Sequence, residues 1–361
     1  MPTPLLRRLD VELPVIAAPM GGGPTTPALV AAVSAAGGLG TLAAAYLTPA
    51  QIAEDAARIR ALTSRPFAIN LFAGGWRTEP PGDPAPMLRL LAPIHARLGI
   101  GEPVLPTVGP DPLPAQLEAV LAARPAALSF TFGIPAPDAL RRLQDAGIAT
   151  IGTATTLAEA RLLADAGVEA IVAQGEEAGA HRGTFAHRFE EAMVPTLELV
   201  DQIARDVPLP VIASGGIMDG HDLARALDAG ATAAQLGTAF LLAPEAGTSE
   251  PWRRALRAAR DAGGDGTVVT RAFSGRAARG LRNAFVELVE GAGHADAILP
   301  YPHQNALTRP MRTAAASRNE PEWLSLWAGR GVVRIRELPA GTLVREIMKE
   351  LAESRARAGR P

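Results

Sequence analysis

Two parts of this sequence combine residue types that could do chemistry. The first is the run Gln174-Gly175-Glu176-Glu177-Ala178-Gly179-Ala180-His181-Arg182-Gly183. Histidine is the side chain best suited to move a proton near neutral pH, and the glycines would let this loop pass close beneath a cofactor. The second part is a pair of short loops, Ser214-Gly215-Gly216-Ile217 and Gly237-Thr238. Without a Cβ, glycine lets backbone N–H groups approach phosphate oxygens, and Thr238 adds a hydroxyl donor. Plain tight turns are the competing reading of these glycines. The other five histidines carry weaker signals. His95 and His187 read as surface or helix residues, and His221 opens a helix. His294 and His303 lie in the C-terminal region.

Loops of this kind need strands to hold them. Short apolar runs at Pro14–Met20, Leu39–Ala44, Phe67–Phe72, Ala127–Phe132, Ala149–Thr153, Ala170–Gln174, Pro210–Ser214 and Ala233–Leu236 read as eight strands. Helical patterns separate them at Pro27–Ala36, Pro49–Leu62, Pro114–Ala123, Asp138–Ala146, Thr156–Ala166, Glu190–Arg205 and His221–Ala229. Thr48 is a natural N-cap before Pro49, and Gly147, Gly167 and Gly230 sit at left-handed helix stops. The alternation predicts an α/β protein, a (β/α)8 TIM barrel over residues 1–245, with a Pro/Gly-rich insertion after strand three at about 73–109. A doubly wound sheet is disfavoured because no early strand–GxGxxG–helix unit is present. Residues 246–361 read as a mainly helical extension capping the barrel, with helices at Pro251–Ala262, Arg276–Glu290, Asn305–Ser317 and Ala340–Ser354.

Barrel sites form where the strands end. Strand one delivers Met20, strand three Asn70, strand four Ser129 and Thr131, and strand five Thr153 and Thr155. Strand six delivers Gln174, Glu176, Glu177 and His181. Strands seven and eight deliver Ser214, Gly215, Gly216, Gln235, Leu236, Gly237 and Thr238. Only strand six brings charged groups. A divalent-metal hydrolase needs carboxylates or histidines from several strands, so no metal site is expected. The neutral, glycine-rich rim suits a large planar cofactor.

Composition narrows the chemistry further. The chain has no cysteine, which removes thiolate nucleophiles and Cys-bound metals. Its one lysine, Lys349, lies in the C-terminal tail, which disfavours Schiff-base and pyridoxal-phosphate chemistry. A net charge of −2 with no basic stripe does not fit a nucleic-acid binder. The charges of Arg345–Arg360 alternate with Glu346, Glu350 and Glu353, as on a solvated helix face. No apolar run is long enough for a membrane span, and residues 1–10 are too short and charged for a secretory signal. A cytoplasmic protein is expected, with a small-molecule partner and at most a second copy of itself.

In several further pieces the sequence resembles the nitronate monooxygenase (2-nitropropane dioxygenase) family of FMN-dependent TIM barrels. These are Pro14–Met20, Ala35–Gly40, Phe67–Phe72 (FAINLF), Ser129–Pro135 (SFTFGIP), the Gln174–Gly183 loop, Pro210–Ile217 (PVIASGGI), Gln235–Phe240 (QLGTAF), Phe273–Arg276 and Tyr301–Ala306 (YPHQNA). The resemblance implies non-covalent FMN. Asn70, Gln174 and Gly179 would contact its ring and ribityl chain, and Met20 would lie close to the ring through its backbone. Gly216 and Gln235, Leu236, Gly237 and Thr238 would hold the lower chain and phosphate, beside Gly215. His181 matches the family's catalytic histidine. Ala180 departs from the pattern, since the family commonly has glycine there. Tyr301, His303 and Gln304 are expected as lining residues. The implied reaction is oxidation of alkyl nitronates, and of nitroalkanes with His181 as base, by O2 to a carbonyl compound and nitrite. With a preformed nitronate, His181 would orient the substrate and balance its charge. The alternatives are an NAD(P)H-dependent flavin reductase of the enoyl-acyl-carrier-protein reductase type, with Arg309 and Arg312 as carrier-protein contacts, and a non-catalytic flavin-binding sensor barrel.

Overall fold

The computed structural model describes residues 3–76, 78–79 and 82–359. Arg77, Pro80 and Pro81 of the expected insertion, and Met1, Pro2, Arg360 and Pro361 at the ends, lie outside the described residues. The chain is a (β/α)8 barrel. Its strands are β1 (Val15–Ala17), β2 (Gly40–Ala43), β3 (Phe67–Phe72), β4 (Ala127–Thr131), β5 (Ala149–Ala154), β6 (Ala170–Gln174), β8 (Val211–Ser214) and β9 (Ala233–Leu236). A small antiparallel sheet adds β7 (Ala180–His181), β10 (Thr267–Thr270) and β11 (Ala278–Leu281). Around the barrel the parallel order is β1, β9, β8, β6, β5, β4, β3, β2. A parallel bridge between Ile16 and Leu39 joins the two ends and closes the ring.

The strands are short because each residue inside the ring must fit a shared core. Ile16, Ala68, Ile151, Val172 and Ile212 fill the interior together with Leu5, Leu6 and Leu9. These leucines come from an N-terminal helix, Pro4–Leu9, which Thr3 caps and which plugs the bottom of the barrel. The sequence reading weighed that segment only as a leader. Thr48 caps the Pro49–Leu62 helix in a full capping box with Gln51.

Two helix assignments change. The expected Glu190–Arg205 helix is a 3-10 turn, Phe189–Ala192, followed by a helix at Thr196–Asp206, because Pro195 lacks an N–H and restricts the residue before it. The expected Arg276–Glu290 helix begins instead as β11, which pairs with β10 on one side and β7 on the other. Gly280 permits this, since a Cβ there would meet the Leu326 carbonyl oxygen at 2.7 Å. Tertiary pairing overrides the local alanine and arginine content.

Within the expected insertion, the helix Ala85–Arg97 buries Met87, Leu91 and Ile94 in the main core. The last helix, Ala340–Arg357, buries Leu343, Val344, Ile347 and Leu351 and is not only a solvated face. Its Glu350 accepts from the Gly220 N–H at 2.8 Å.

Candidate active site

Strand register gathers the polar rim. Asn70 lies beside Ser129, Gln174 beside Ser214, and Ser214 beside Gln235. These residues floor a cavity of about 570 Å³, a usual size for a cofactor pocket. His181, Met20, Asn70, Gln174, Gly179, Gly215, Gly216, Gln235, Leu236, Gly237 and Thr238 all line it. The expected Tyr301, His303 and Gln304 do not. Gln304 is spent on the Ala272 carbonyl and the Leu299 N–H (2.6 and 3.1 Å), and His303 is buried with both ring nitrogens unpartnered. Tyr301 packs edge-on to His181 from just behind the wall. Glu176 and Glu177 turn away as well, to Arg330 (2.8 Å) and to the Thr196 hydroxyl (2.6 Å). His95, expected at the surface or in a helix, is a buried residue of the Ala85–Arg97 helix, 2.7 Å from the Gly101 carbonyl.

The loop that carries His181 is fixed from several sides. Gln174 staples it, donating to the His181 carbonyl (3.0 Å) and accepting from the Gly183 N–H (2.7 Å). Arg182 is fully buried and donates to the carbonyls of Gly175 (2.5 Å), Gln174 (3.0 Å) and Ala192 (3.0 Å). Glu159, also fully buried, accepts from the N–H groups of Thr155, Phe185 and Ala186 at 2.6–3.0 Å. Residues Ala180 and His181 then pair with Arg279 and Ala278 of β11. Glu159 was not singled out in the sequence, and Gln174 was expected at the cofactor rather than as a staple. Arg182 stood in the motif, but nothing marked it as buried.

Ala180 sits at φ +63°, the left-handed region that disfavours a side chain. The missing glycine is therefore a source of strain. Ala180→Gly should stabilise the folded protein by roughly 1 kcal/mol, read as a higher urea midpoint at unchanged slope. A lower midpoint would mean that the alanine is not strained.

The hydrogen-bond chain sets the state of His181. Ser274 Oγ donates to the Arg276 carbonyl at 3.0 Å and lies 2.9 Å from His181 Nε2. With the serine's one proton on that carbonyl, Nε2 is assigned as the donor and Nδ1 as the acceptor. Phe72, Phe132, Tyr301 and Trp327 surround the ring at 5.7–6.4 Å. This desolvation first, and then the charges of Arg276 and Arg312, lower its pKa from 6.5 to about 3. The unfolded chain takes up this proton near 6.5 and the folded chain only near 3. The stabilising difference is therefore complete above 6.5 and is lost as pH falls toward 3. His181→Asn should lose less Tm than the native protein between about pH 7 and about pH 4.5. An equal loss would show that the ring protonates freely in the fold.

Positive charge dominates the upper wall. Arg309 and Arg312 line the cavity, and no Asp or Glu does so among the described residues. Arg312 donates to the Asn305 carbonyl (2.7 Å) and Oδ1 (2.8 Å), and its Nε has no partner. Burial lowers its pKa to about 10, so it stays charged at neutral pH. Arg276 lies 3.7 Å above the Phe132 ring and is likewise held at about 10 by burial. Arg309 stacks on Tyr46 at 5.6 Å.

At the opposite end the cavity forms a cradle. Gly215 and Gly216 adopt φ +130° and +69°, and their amides and that of Gly237 donate to no carbonyl among the described residues. Thr238 Oγ1 accepts from the Gly329 N–H (2.9 Å), which leaves its own proton free. Gly329 and Gly331 strap this end closely: a Cβ on Gly331 would lie 2.4 Å from Met218. Met20 turns its N–H and carbonyl onto Thr25 (2.8 and 3.2 Å), so only its non-polar surface faces the cavity.

The chain is thus a closed parallel barrel with glycine-rich loops after its last two strands, and its strand ends open on a cavity lined by one histidine and two arginines, the architecture of a barrel enzyme. The family model for nitronate monooxygenase matches residues 3–352, and the chain belongs to that family. Nitronate monooxygenase of Pseudomonas aeruginosa is 42% identical over 353 residues, which cover 96% of this chain and 98% of that protein. The solved nitroalkane oxidase of Streptomyces ansochromogenes is 40% identical, with a TM-score of 0.90 over 98% of this chain and all of that one. FabK of Thermotoga maritima is more distant, at 25% identity and a TM-score of 0.77 over 99% of both chains. The protein is a flavin-dependent oxidoreductase, as members of its family are. Among the described residues no helix is long and apolar enough to cross a membrane.

Proposed function

We propose that this enzyme binds FMN and oxidises alkyl nitronates with O2 to a carbonyl compound and nitrite, neutral nitroalkanes being poorer substrates. One observation carries the reading: His181, Arg309 and Arg312 line one cavity, and no Asp or Glu lines it among the described residues. Such a cavity attracts a preformed anion and is weakly equipped to make one.

The residues suit FMN. The free amides of Gly215, Gly216 and Gly237 and the Thr238 hydroxyl would hold a phosphate, and the Gly329–Gly331 strap blocks extension beyond it. Asn70 gives its Nδ2 to Ser129 (2.9 Å), leaving Oδ1 for the ring, and the Gln235 amide has no partner among the described residues. Gln174 serves the ring indirectly, by setting the loop. When bound, the flavin supplies the one-electron and oxygen chemistry.

The chain's own residues bind, orient and handle the proton. Arg309 and Arg312 balance the nitronate charge, a task the sequence reading gave partly to His181. A neutral His181 instead offers Nδ1 as acceptor for the α-proton of a nitroalkane, with Nε2–H held by Ser274. The aromatic walls keep water away from the reacting carbon. For the reductase alternative, Arg309 and Arg312 were the expected carrier-protein contacts. Their place in the cavity wall supports binding of a small anion instead.

The test is oxygen uptake by the yellow protein with ethyl nitronate and no nicotinamide, with the flavin identified after acid release. Uptake with nitrite formation and released FMN is expected. No uptake, together with bleaching by NADPH, would move the enzyme to the reductase reading.

A further inference from the structure

The space in front of His181 does not end at the cavity wall. A second chamber of about 790 Å³ adjoins it, open to solvent on its outer side. Ile100, Pro106 and Val108 form one wall, and Ala306, Pro310 and Ala314 of the His303–Ser317 helix form the other. Tyr46, Asn305, Arg309 and Thr313 line both spaces, so the two adjoin along these side chains.

We propose that this outer chamber is a tail subsite, which takes the alkyl chain of a substrate whose anionic head lies in the inner cavity. The enzyme would then favour amphipathic, medium-chain nitronates over the shortest ones. The inference rests on the reading of the inner cavity as a nitronate site. Charge is distributed as such a ligand requires. Arg309 and Arg312 stand at the head, Arg318 stands on the rim, and no carboxylate lines either space among the described residues. Ile100, Pro106, Val108, Ala306, Pro310 and Ala314 give the outer chamber its apolar faces, and methylene groups there would displace water from non-polar surface. The chamber is also preformed. Trp76 Nε1 donates to the Gly109 carbonyl at 3.0 Å, and Arg97 pairs with Glu320 at 3.1 Å, which ties the 85–109 segment to the C-terminal region.

Alkanoates carry a planar, two-oxygen anionic head like that of a nitronate, and they do not react. Calorimetric titration of the flavin-loaded enzyme with acetate, butanoate, hexanoate and octanoate should show affinity rising about two- to fourfold per methylene. Octanoate should bind at least about fiftyfold more tightly than acetate. Ala306→Trp fills the chamber from the helix side, and Val108→Trp fills it from the opposite wall. Each should cut the octanoate-to-acetate ratio to below about fivefold. A flat series in the native enzyme, or a ratio retained in both variants, would overturn the subsite. The readout is heat of binding, so the two readings can fail separately. A chain-length gain in an enzyme that oxidises no nitronate supports the subsite and sinks the nitronate reading. Nitronate oxidation with a flat alkanoate series does the reverse.

Discussion

His181→Asn should lower turnover of neutral nitroalkanes by about a hundredfold, with flavin content unchanged and oxidation of preformed nitronates kept within about tenfold. His181 is the one histidine that lines the cavity among the described residues, and no Asp, Glu or Lys lines it to replace that side chain as base. Tyr46 cannot substitute, because burial raises its pKa and keeps it protonated. Asparagine can still reach toward Ser274, so the loop keeps its anchor, while Gln174, Arg182 and Glu159 hold the backbone independently. A nitronate needs no proton removed, and for it His181 only contributes position. The loss on nitroalkanes falls toward the low end for a general base, since a ring with a pKa near 3 is a weak acceptor to begin with. Steady-state assays with nitroethane and its nitronate measure both effects. Normal nitroethane turnover in the variant would remove His181 from the base role.

Arg312→Met should raise the KM for nitronates by about thirty- to a hundredfold with kcat within about threefold. A guanidinium a few ångströms from an anion, at the effective dielectric of a partly buried site, contributes on the order of 3 kcal/mol. The nitronate carries its charge when it binds and loses it on giving up an electron, so the guanidinium acts on binding rather than by stabilising the chemical step. Arg312→Lys should recover part of the affinity but not all of it, because the hydrogen bonds of Arg312 to Asn305 use the planar guanidinium. The residual KM of the methionine variant should also depend less on ionic strength. A fall in kcat at constant KM would place Arg312 in the reaction itself.

Much of the fold was legible because barrel strands and their helices punctuate the chain locally. Pro49 behind Thr48, and Gly147, Gly167 and Gly230 after three of the helices, gave the boundaries of those units to within a few residues. The small sheet was not legible. Ala278–Leu281 has alanine, arginine, glycine and leucine in a segment that reads as helix, and only its two neighbours in space make it a strand. The candidate site divides the same way. Strand-end residues such as Asn70, Gln174 and Gln235 could be placed by counting, since each strand ends at the same face. Ser274 and Arg276, which stand behind the cavity wall, could not, and Arg309 and Arg312 were legible only as carrier-protein contacts, because no period fixes which side chain points inward after residue 245. Gln174 shows the limit within the motif itself: its place was legible, but its use as a staple depends on where the loop returns.

The central claim is that the cavity selects a preformed anion. The most direct test is the ratio of kcat/KM for ethyl nitronate to that for nitroethane, measured on one preparation at one pH by initial oxygen uptake. A cationic wall opposite a neutral, weakly basic His181 calls for a ratio of at least about a hundred. Equal values for the two forms would contradict it, since they would require His181 to be an effective base and the arginines to be indifferent to substrate charge.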